Sequence, residues 1–168
     1  EYDCFNQLIK VTSGDMTAAY SYNGSGLRNS KTINGITITH VWDGGQIAVE
    51  LDDNSEVLNK YLRGINLIEA EDSQGTVQYY LYNGHGDVVQ LTGSNGSLVK
   101  TYNYDAFGNE KEPDLTDTNV FRYCGEYFDQ ETGTYYLRAR YYNPGTGRFI
   151  TEDSYLGKSE DPLTLNLY

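Results

Sequence analysis

Runs that alternate apolar and polar side chains recur along the chain: ITITHVW at 36–42, QIAVEL at 46–51, TVQYYLY at 76–82 and SLVKTYNY at 97–104. A period of two sends successive side chains to opposite faces of a strand, so each run predicts a half-buried β-strand. No stretch sustains the 3.6-residue period of an amphipathic helix. Turn residues bound the runs. Asn34-Gly35 and Asn95-Gly96 read as two-residue hairpin turns, and the glycine-rich GSGLRNS at 24–30 reads as a further turn. The pattern predicts an all-β fold of antiparallel β-hairpin repeats forming one curved, spiralling sheet.

A longer period lies over the short one. An aromatic residue followed by Asp or Asn returns at Tyr2-Asp3, Tyr22-Asn23, Trp42-Asp43, Tyr82-Asn83, Tyr104-Asp105 and Tyr142-Asn143. The first steps are 20 residues, and the gap from 42 to 82 is twice that. Gly26, Gly86 and Gly108 stand three positions beyond Asn23, Asn83 and Asp105, and Gly147 stands four beyond Asn143. A strand that ends on an aromatic can turn on an Asp or Asn side chain and complete the turn with glycine. Each unit of about twenty residues therefore holds two strands.

EKEPDLTDTN at 110–119 is polar, aperiodic and holds Pro113, which predicts an exposed loop. The tail from Glu152 is irregular, with a short helix expected near Pro162. ETGTYYLRARYYNPGTGRF at 131–149 interleaves five aromatic residues with three arginines. At period two, Tyr135, Leu137, Ala139 and Tyr141 share one face. Tyr136, Arg138, Arg140 and Tyr142 share the other. The arginines are expected to pair with acidic neighbours and ring faces.

The stretch YFDQETGTYYLRARYYNPGTGRFITED at 127–153 resembles the core signature that ends the array of Rhs, or YD-repeat, proteins. YNYDAFGN at 102–109, YDCFNQL at 2–8, YLRGINLI at 61–68 and YYLYNGHGDVVQLT at 79–92 resemble the repeats before that core. The resemblance implies YD repeats over 1–110, a loop over 111–119, the core over 120–153 and a tail over 154–168. It implies a spiralling hairpin sheet that closes as a shell. In bacterial toxins of this kind, such as Tc-toxin components and wall-associated contact-dependent proteins, the shell holds a C-terminal toxin. Related repeats in animal adhesion proteins build a similar barrel without cargo. Structural positions of the core are then Tyr135, Tyr136, Leu137, Arg138, Arg140, Tyr141, Tyr142, Gly147, Arg148 and Phe149.

In several family members the core supports autocleavage by acidic residues, and Asp153 is the matching acid, with Arg148 as its orienting partner. Where the family has a second Asp this chain has Asn143, which cannot titrate. LNLY at 165–168 resembles the approach to the scissile segment, which is not reached. The chain is therefore expected to be non-enzymatic. Its expected partners are the rest of the shell and a C-terminal toxin domain, in a bacterial protein that is secreted or on the cell surface. The alternative is a module binding surface carbohydrate or an adhesion partner through rows of tyrosine.

Composition fits the repeat reading. There are 17 Tyr against 5 Phe and 1 Trp, and 18 Gly against 3 Pro, as half-buried sheet surfaces and tight turns require. The net charge of -12 opposes binding to nucleic acid or to anionic membranes. No run is long and apolar enough to span a membrane. With Glu1 as its first residue, the chain is expected to be a segment of something longer. Cut from its neighbours, such a segment is expected to associate through its strand edges.

Site chemistry adds little. Cys4 and Cys124 are too few for a disulfide scaffold, and either one bridge or two free thiols fits. His40 and His85 have no second His or Cys at ligand spacing, so neither a metal site nor any cofactor is expected. ELDDNSE at 50–56 and EAEDSQG at 69–75 read as solvated hairpin tips rather than calcium loops. Asn23-Gly24-Ser25 and Asn95-Gly96-Ser97 match glycosylation sequons in form but read as turns. No Gly-x-Ser-x-Gly elbow, Walker loop or paired glycosidase carboxylates are apparent.

Overall fold

In the computed structural model, which describes residues 1–153, 157, 158, 160 and 161, ten strands form one antiparallel meander in chain order. They are β1 (Lys10–Ser13), β2 (Met16–Tyr22), β3 (Arg28–Ile33), β4 (Ile36–Asp43), β5 (Gln46–Leu51), β6 (Val57–Arg63), β7 (Leu67–Asp72), β8 (Val77–Tyr82), β9 (Val88–Gly93) and β10 (Leu98–Thr101). A 3₁₀ turn (Tyr123–Gly125) then leads into a second, four-stranded sheet: β11 (Tyr127–Asp129), β12 (Thr134–Tyr136), β13 (Tyr141–Asn143) and β14 (Arg148–Phe149). The fold is all-β, as the alternation predicts. The short helix expected near Pro162 and the run 165–168 lie outside the described residues.

The small sheet packs on one face of the large one. Leu8, Ala18, Tyr20, Ile47, Leu67, Tyr80, Val88, Leu91 and Tyr102 from the repeats share a core with Phe121, Tyr127, Tyr136 and Tyr141. Within a strand the alternation is direct: in β2, Ala18 and Tyr20 are buried while Ala19 and Ser21 are exposed.

Two kinds of turn join the strands. Asn34-Gly35 and Gly44-Gly45 are two-residue turns, with Ile33 opposite Ile36 and Asp43 opposite Gln46. The other kind closes over three residues. Asn23 N–H donates to Leu27 O, Gly26 N–H donates back to Asn23 O, and Gly26 takes φ +77°, as a type I turn followed by a left-handed residue does. The Asn23 side-chain oxygen accepts from Ser25 and Leu27 N–H. Asp3, Asp52, Asp72, Asn83 and Asp105 build the same loop, with Asn6, Ser55, Gly75, Gly86 and Gly108 left-handed. Two expectations need correction. Asn95-Gly96 belongs to this three-residue type, because Gly93 rather than Ser94 closes on Ser97. Trp42-Asp43 does not, because its turn is made by the two glycines that follow.

The twenty-residue period has a specific cause. At four of the six beats the aromatic residue donates a hydrogen bond to a main-chain carbonyl 14 to 16 residues earlier. Tyr22 Oη donates to Leu8 O at 2.7 Å, Trp42 Nε1 to Arg28 O at 2.9 Å, Tyr82 Oη to Leu67 O at 2.9 Å and Tyr104 Oη to Val88 O at 3.0 Å. The beat missing between 42 and 82 is filled by Arg63, whose Nε reaches Ile47 O at 3.5 Å. Every acceptor residue is buried: Leu8, Arg28, Ile47, Leu67 and Val88. Four are aliphatic, and the second is an arginine.

The stretch 131–149 is not one strand. Arg138 sits at φ +61°, and Leu137 N–H donates to Arg140 O, so the chain reverses between β12 and β13. Tyr136 then pairs across the hairpin with Tyr141, and Tyr135 with Tyr142. This corrects the expected division of faces. Tyr136 and Tyr141 turn together towards the large sheet, while Tyr135 packs on Phe128 with ring centroids 4.9 Å apart. Period two survives on each side of the reversal, and one left-handed residue is enough to reset it.

Residues 111–116 are exposed. Their flanks are drawn inward by buried Arg122, which pairs with Glu110 at 3.0 Å and Asp117 at 3.3 Å.

Candidate functional site

Arg28 occupies a core position of the repeat, and its charge requires a partner there. The small sheet supplies one. Asp129, at the end of β11, accepts from Arg28 Nη1 at 2.5 Å and Nη2 at 3.0 Å, and both side chains are fully buried. Lys31, three residues further along β3, donates to Asp129 at 3.2 Å and to Glu131 at 3.4 Å. The guanidinium carbon lies 4.3 Å from the Tyr136 ring centre, 5.0 Å from Tyr127, 5.2 Å from Tyr20 and 5.9 Å from Tyr141, an aromatic cage around a desolvated cation.

A second acid continues the cluster across β4 and β5. Glu50 is buried and accepts from Tyr61 Oη and Tyr127 Oη at 2.6 Å each and from Asn59 Nδ2 at 2.9 Å. His40 Nε2 stands 3.6 Å from the same carboxylate, beyond hydrogen-bond reach, and Nδ1 faces Arg28 O at 3.2 Å. Burial alone would push Glu50 up. His40 and the hydroxyls of Tyr127 and Tyr61 outweigh it and hold the group at about 2. Burial lowers His40, with Arg28 and Lys31 adding to the effect. Asp129 is likewise raised by burial but lowered overall by Arg28 and Lys31, whereas burial and the Asp129 charge push Glu131 up.

This arrangement is suited to clamping. A carboxylate that acts on a substrate needs access, and Asp129 has none. Its three N–H donors join β3 to β11 across about a hundred residues of sequence. The cluster thus fixes the small sheet to β3, β4 and β5.

The sequence-derived candidates lie elsewhere. Asp153 pairs with Arg140 at 3.0 Å, the Arg140 guanidinium lies 3.5 Å from the Phe149 ring centre, and Arg148 is exposed on β14. Arg140 is thus a cation paired with Asp153, the acid for which the sequence suggested Arg148. Arg138 pairs with Glu126 at 2.6 Å. Both pairings follow the expectation that these arginines serve acidic neighbours. Asp153 lines an open cleft of about 720 Å³ with Glu152, Arg138, Tyr141 and the N-terminal turn from Cys4 to Leu8. Tyr2 Oη donates to Ile150 O, and Asn6 Nδ2 donates to Glu152 O, so the first hairpin unit meets the end of the core.

Arg28, Lys31, Glu50 and Asp129 were missed as site residues. A signal was available: Arg28 and Lys31 stand where the neighbouring repeats carry Leu8 and Val11, or Leu67 and Ala70. One group among the described residues brings together side chains able to ligate a metal, namely His85, Asp87 and Cys124. Both cysteines are free and exposed.

A repeat sheet capped by a small sheet that its own buried charges hold in place defines a β-hairpin shell segment. The model of the Teneurin YD-shell matches residues 42–168, and the chain belongs to that family. It is 38% identical over 157 residues to the tRNA(Glu)-specific nuclease WapA of Bacillus subtilis subsp. natto, covering 90% of this chain and 7% of the relative. It is 37% identical over 157 residues to the tRNA nuclease WapA of Bacillus subtilis strain 168, with the same coverage. Teneurin-3 of Danio rerio is 28% identical over 191 residues, covering 100% of this chain and 7% of its own. The chain thus spans a small part of these relatives. Among solved structures, TcdB2-TccC3 without its hypervariable C-terminal region superposes with a TM-score of 0.77 at 21% identity, over 100% of this chain and 9% of that one. The Photorhabdus luminescens Tc holotoxin pore gives 0.71 at 19%, with the same coverage. These likenesses show the shared fold.

Proposed function

We propose that this chain is wall and closing cap of a hollow YD shell in a bacterial toxin, enclosing a polymorphic toxin domain C-terminal to it. The observation that carries the reading is the buried Arg28–Asp129 clamp. It spends charged residues on seating the small sheet against the repeats, which a free-standing repeat ribbon has no use for. The WapA relatives, named as tRNA nucleases, support a toxin context, and an exported protein follows from it. The segment itself acts by exclusion. Its partners are the remaining shell and the enclosed domain. The tyrosine rows that would carry a carbohydrate-binding reading turn inward, with Tyr20, Tyr80, Tyr102, Tyr127, Tyr136 and Tyr141 all in the core.

Protease protection tests the proposal in the longer protein of which this chain is the shell end. The enclosed domain should resist proteinase K in the wild type and be digested at once after Asp129→Asn. A domain equally sensitive in both would remove the encapsulation reading. Asp153, held by Arg140 in the open cleft, is the acid proposed for self-processing. Intact mass of that longer protein should show a cleaved product in the wild type and a single uncleaved chain in Asp153→Asn. Expressed alone, the chain has β1 and β10 as the outer strands of its large sheet and should self-associate in light scattering; a monodisperse monomer would count against this.

A further inference from the structure

His85 lies in the loop between β8 and β9, Asp87 closes that loop, and Cys124 sits in the 3₁₀ turn that begins the cap. Their ligand atoms all fall within 4.8 Å of one another. His85 Nδ1 is 2.9 Å from Asp87 Oδ1 and 3.9 Å from Cys124 Sγ. We propose that His85, Asp87 and Cys124 form a three-ligand site for a divalent metal ion of zinc type, stapling the β8–β9 loop to the cap.

The donor set is one nitrogen, one carboxylate oxygen and one sulfur, which suits a borderline-soft tetrahedral ion better than calcium or magnesium. With metal–ligand bonds of about 2.0–2.3 Å, tetrahedral neighbours stand roughly 3.3–3.8 Å apart. The separations here bracket that range, and rotation of the His85 ring, whose side chain is 59% exposed, closes the difference. His85 and Cys124 are both exposed, so the fourth position faces solvent.

The surroundings are those of ligands held in place. Asp87 is buried, and its other oxygen accepts from Asn83 Nδ2 at 2.7 Å. Cys124 N–H donates to Asp87 Oδ1 at 3.0 Å, which brings the carboxylate and the thiol-bearing residue together. Cys124 adopts φ +53°, a conformation rare for a residue with a side chain. Such strain persists where the surrounding structure imposes it.

A Cys–His–Asp nucleophile does not fit the same geometry. A catalytic triad uses the two ring nitrogens separately, one towards the thiol and one towards the acid. Here Nδ1 faces both.

The experiment is titration of the reduced chain with Co²⁺, read by the thiolate-to-cobalt charge-transfer band in the near ultraviolet, followed by displacement with Zn²⁺. The expected result is a band that saturates at one ion per chain and is bleached by Zn²⁺. It should be retained in Cys4→Ser and lost in Cys124→Ser and His85→Ala. A hundred-fold excess of Zn²⁺ over its dissociation constant should raise Tm by about 5 °C or more in the wild type and not in His85→Ala. No band in the wild type, a band that survives Cys124→Ser, or one that disappears in Cys4→Ser would each overturn the proposal. His85→Ala removes an exposed side chain and should keep the β-sheet circular dichroism, so it decides the matter if Cys124→Ser fails to fold.

Discussion

Replacing Asp129 by Asn is the sharpest test of the clamp. The change keeps the size of the side chain and removes its charge. Arg28 cannot give up its proton, so the guanidinium stays charged at zero exposure with its bidentate partner gone. Its cage of four tyrosine rings remains but supplies no counter-charge. Lys31 keeps only Glu131. Removing one partner of a buried pair costs about 3–5 kcal/mol, because the other charge is left desolvated. At roughly 2–4 °C per kcal/mol for a chain of this length, Tm should fall by roughly 6–20 °C.

Urea unfolding followed by near-ultraviolet circular dichroism reads the loss directly, since the tyrosines of the core surround the clamp. The control is Glu71→Gln. It removes an exposed pair with Lys60 and should cost well under about 1 kcal/mol. The double variant Arg28→Leu with Asp129→Leu places at 28 the kind of residue found at Leu8, Ile47, Leu67 and Val88. It should be more stable than either single variant, because apolar replacement of a whole buried pair is close to neutral. A loss below about 1 kcal/mol in Asp129→Asn, or a double variant as poor as the sum of its singles, would refute the clamp.

Acid should weaken the same region in two steps. His40 is lowered from its ordinary 6.5, so the unfolded chain takes that proton first and stability falls as pH drops below about 6.5. Glu50 is held at about 2 against an ordinary 4.5, so its contribution is intact above 4.5 and is lost as pH falls towards 2. Glu50→Gln should flatten the lower step in a series of urea midpoints, and an unchanged slope would contradict the assignment. Gly108→Ala should destabilise by more than about 1 kcal/mol, since Gly108 is at φ +91° and a new Cβ would lie 2.5 Å from the Tyr123 ring; an unchanged Tm would be the contrary result. Tyr82→Phe removes the bond to Leu67 O and should cost about 1 kcal/mol by chemical denaturation. No loss there would mean that the hydroxyl ladder does not stabilise the repeat.

The repeat was legible because its cause is local. An aromatic followed by Asp or Asn shows where a strand stops and, except at Trp42-Asp43, how the next turn is closed, and both are written within five residues. The gap at 63 was not legible as a beat, because a guanidinium there does the work of a phenol: Arg63 and Tyr82 share a role without sharing a residue type. The reversal at Arg138 was hidden for the opposite reason. Alternation continues on both sides of it, and the left-handed residue that breaks it is an arginine rather than a glycine. The clamp needed a comparison across units. Arg28 within GSGLRNS looks like any turn residue, and Asp129 within YFDQETG looks like any strand end. Set in repeat register, Arg28, Lys31 and Glu50 are three charges in positions that adjoining units fill with Leu8, Val11, Leu67, Ala70, Val88 and Leu91. Charges at core positions of a repeat imply a partner from outside the repeat. The core signature at 120–153 follows the array and can supply one; its acids are Glu126, Asp129, Glu131, Glu152 and Asp153. Register therefore predicts that the cap docks on β3 to β5, although it does not say which acid reaches which cation. That choice is made by the β11–β12 hairpin, which buries Asp129 and leaves Glu126 to Arg138.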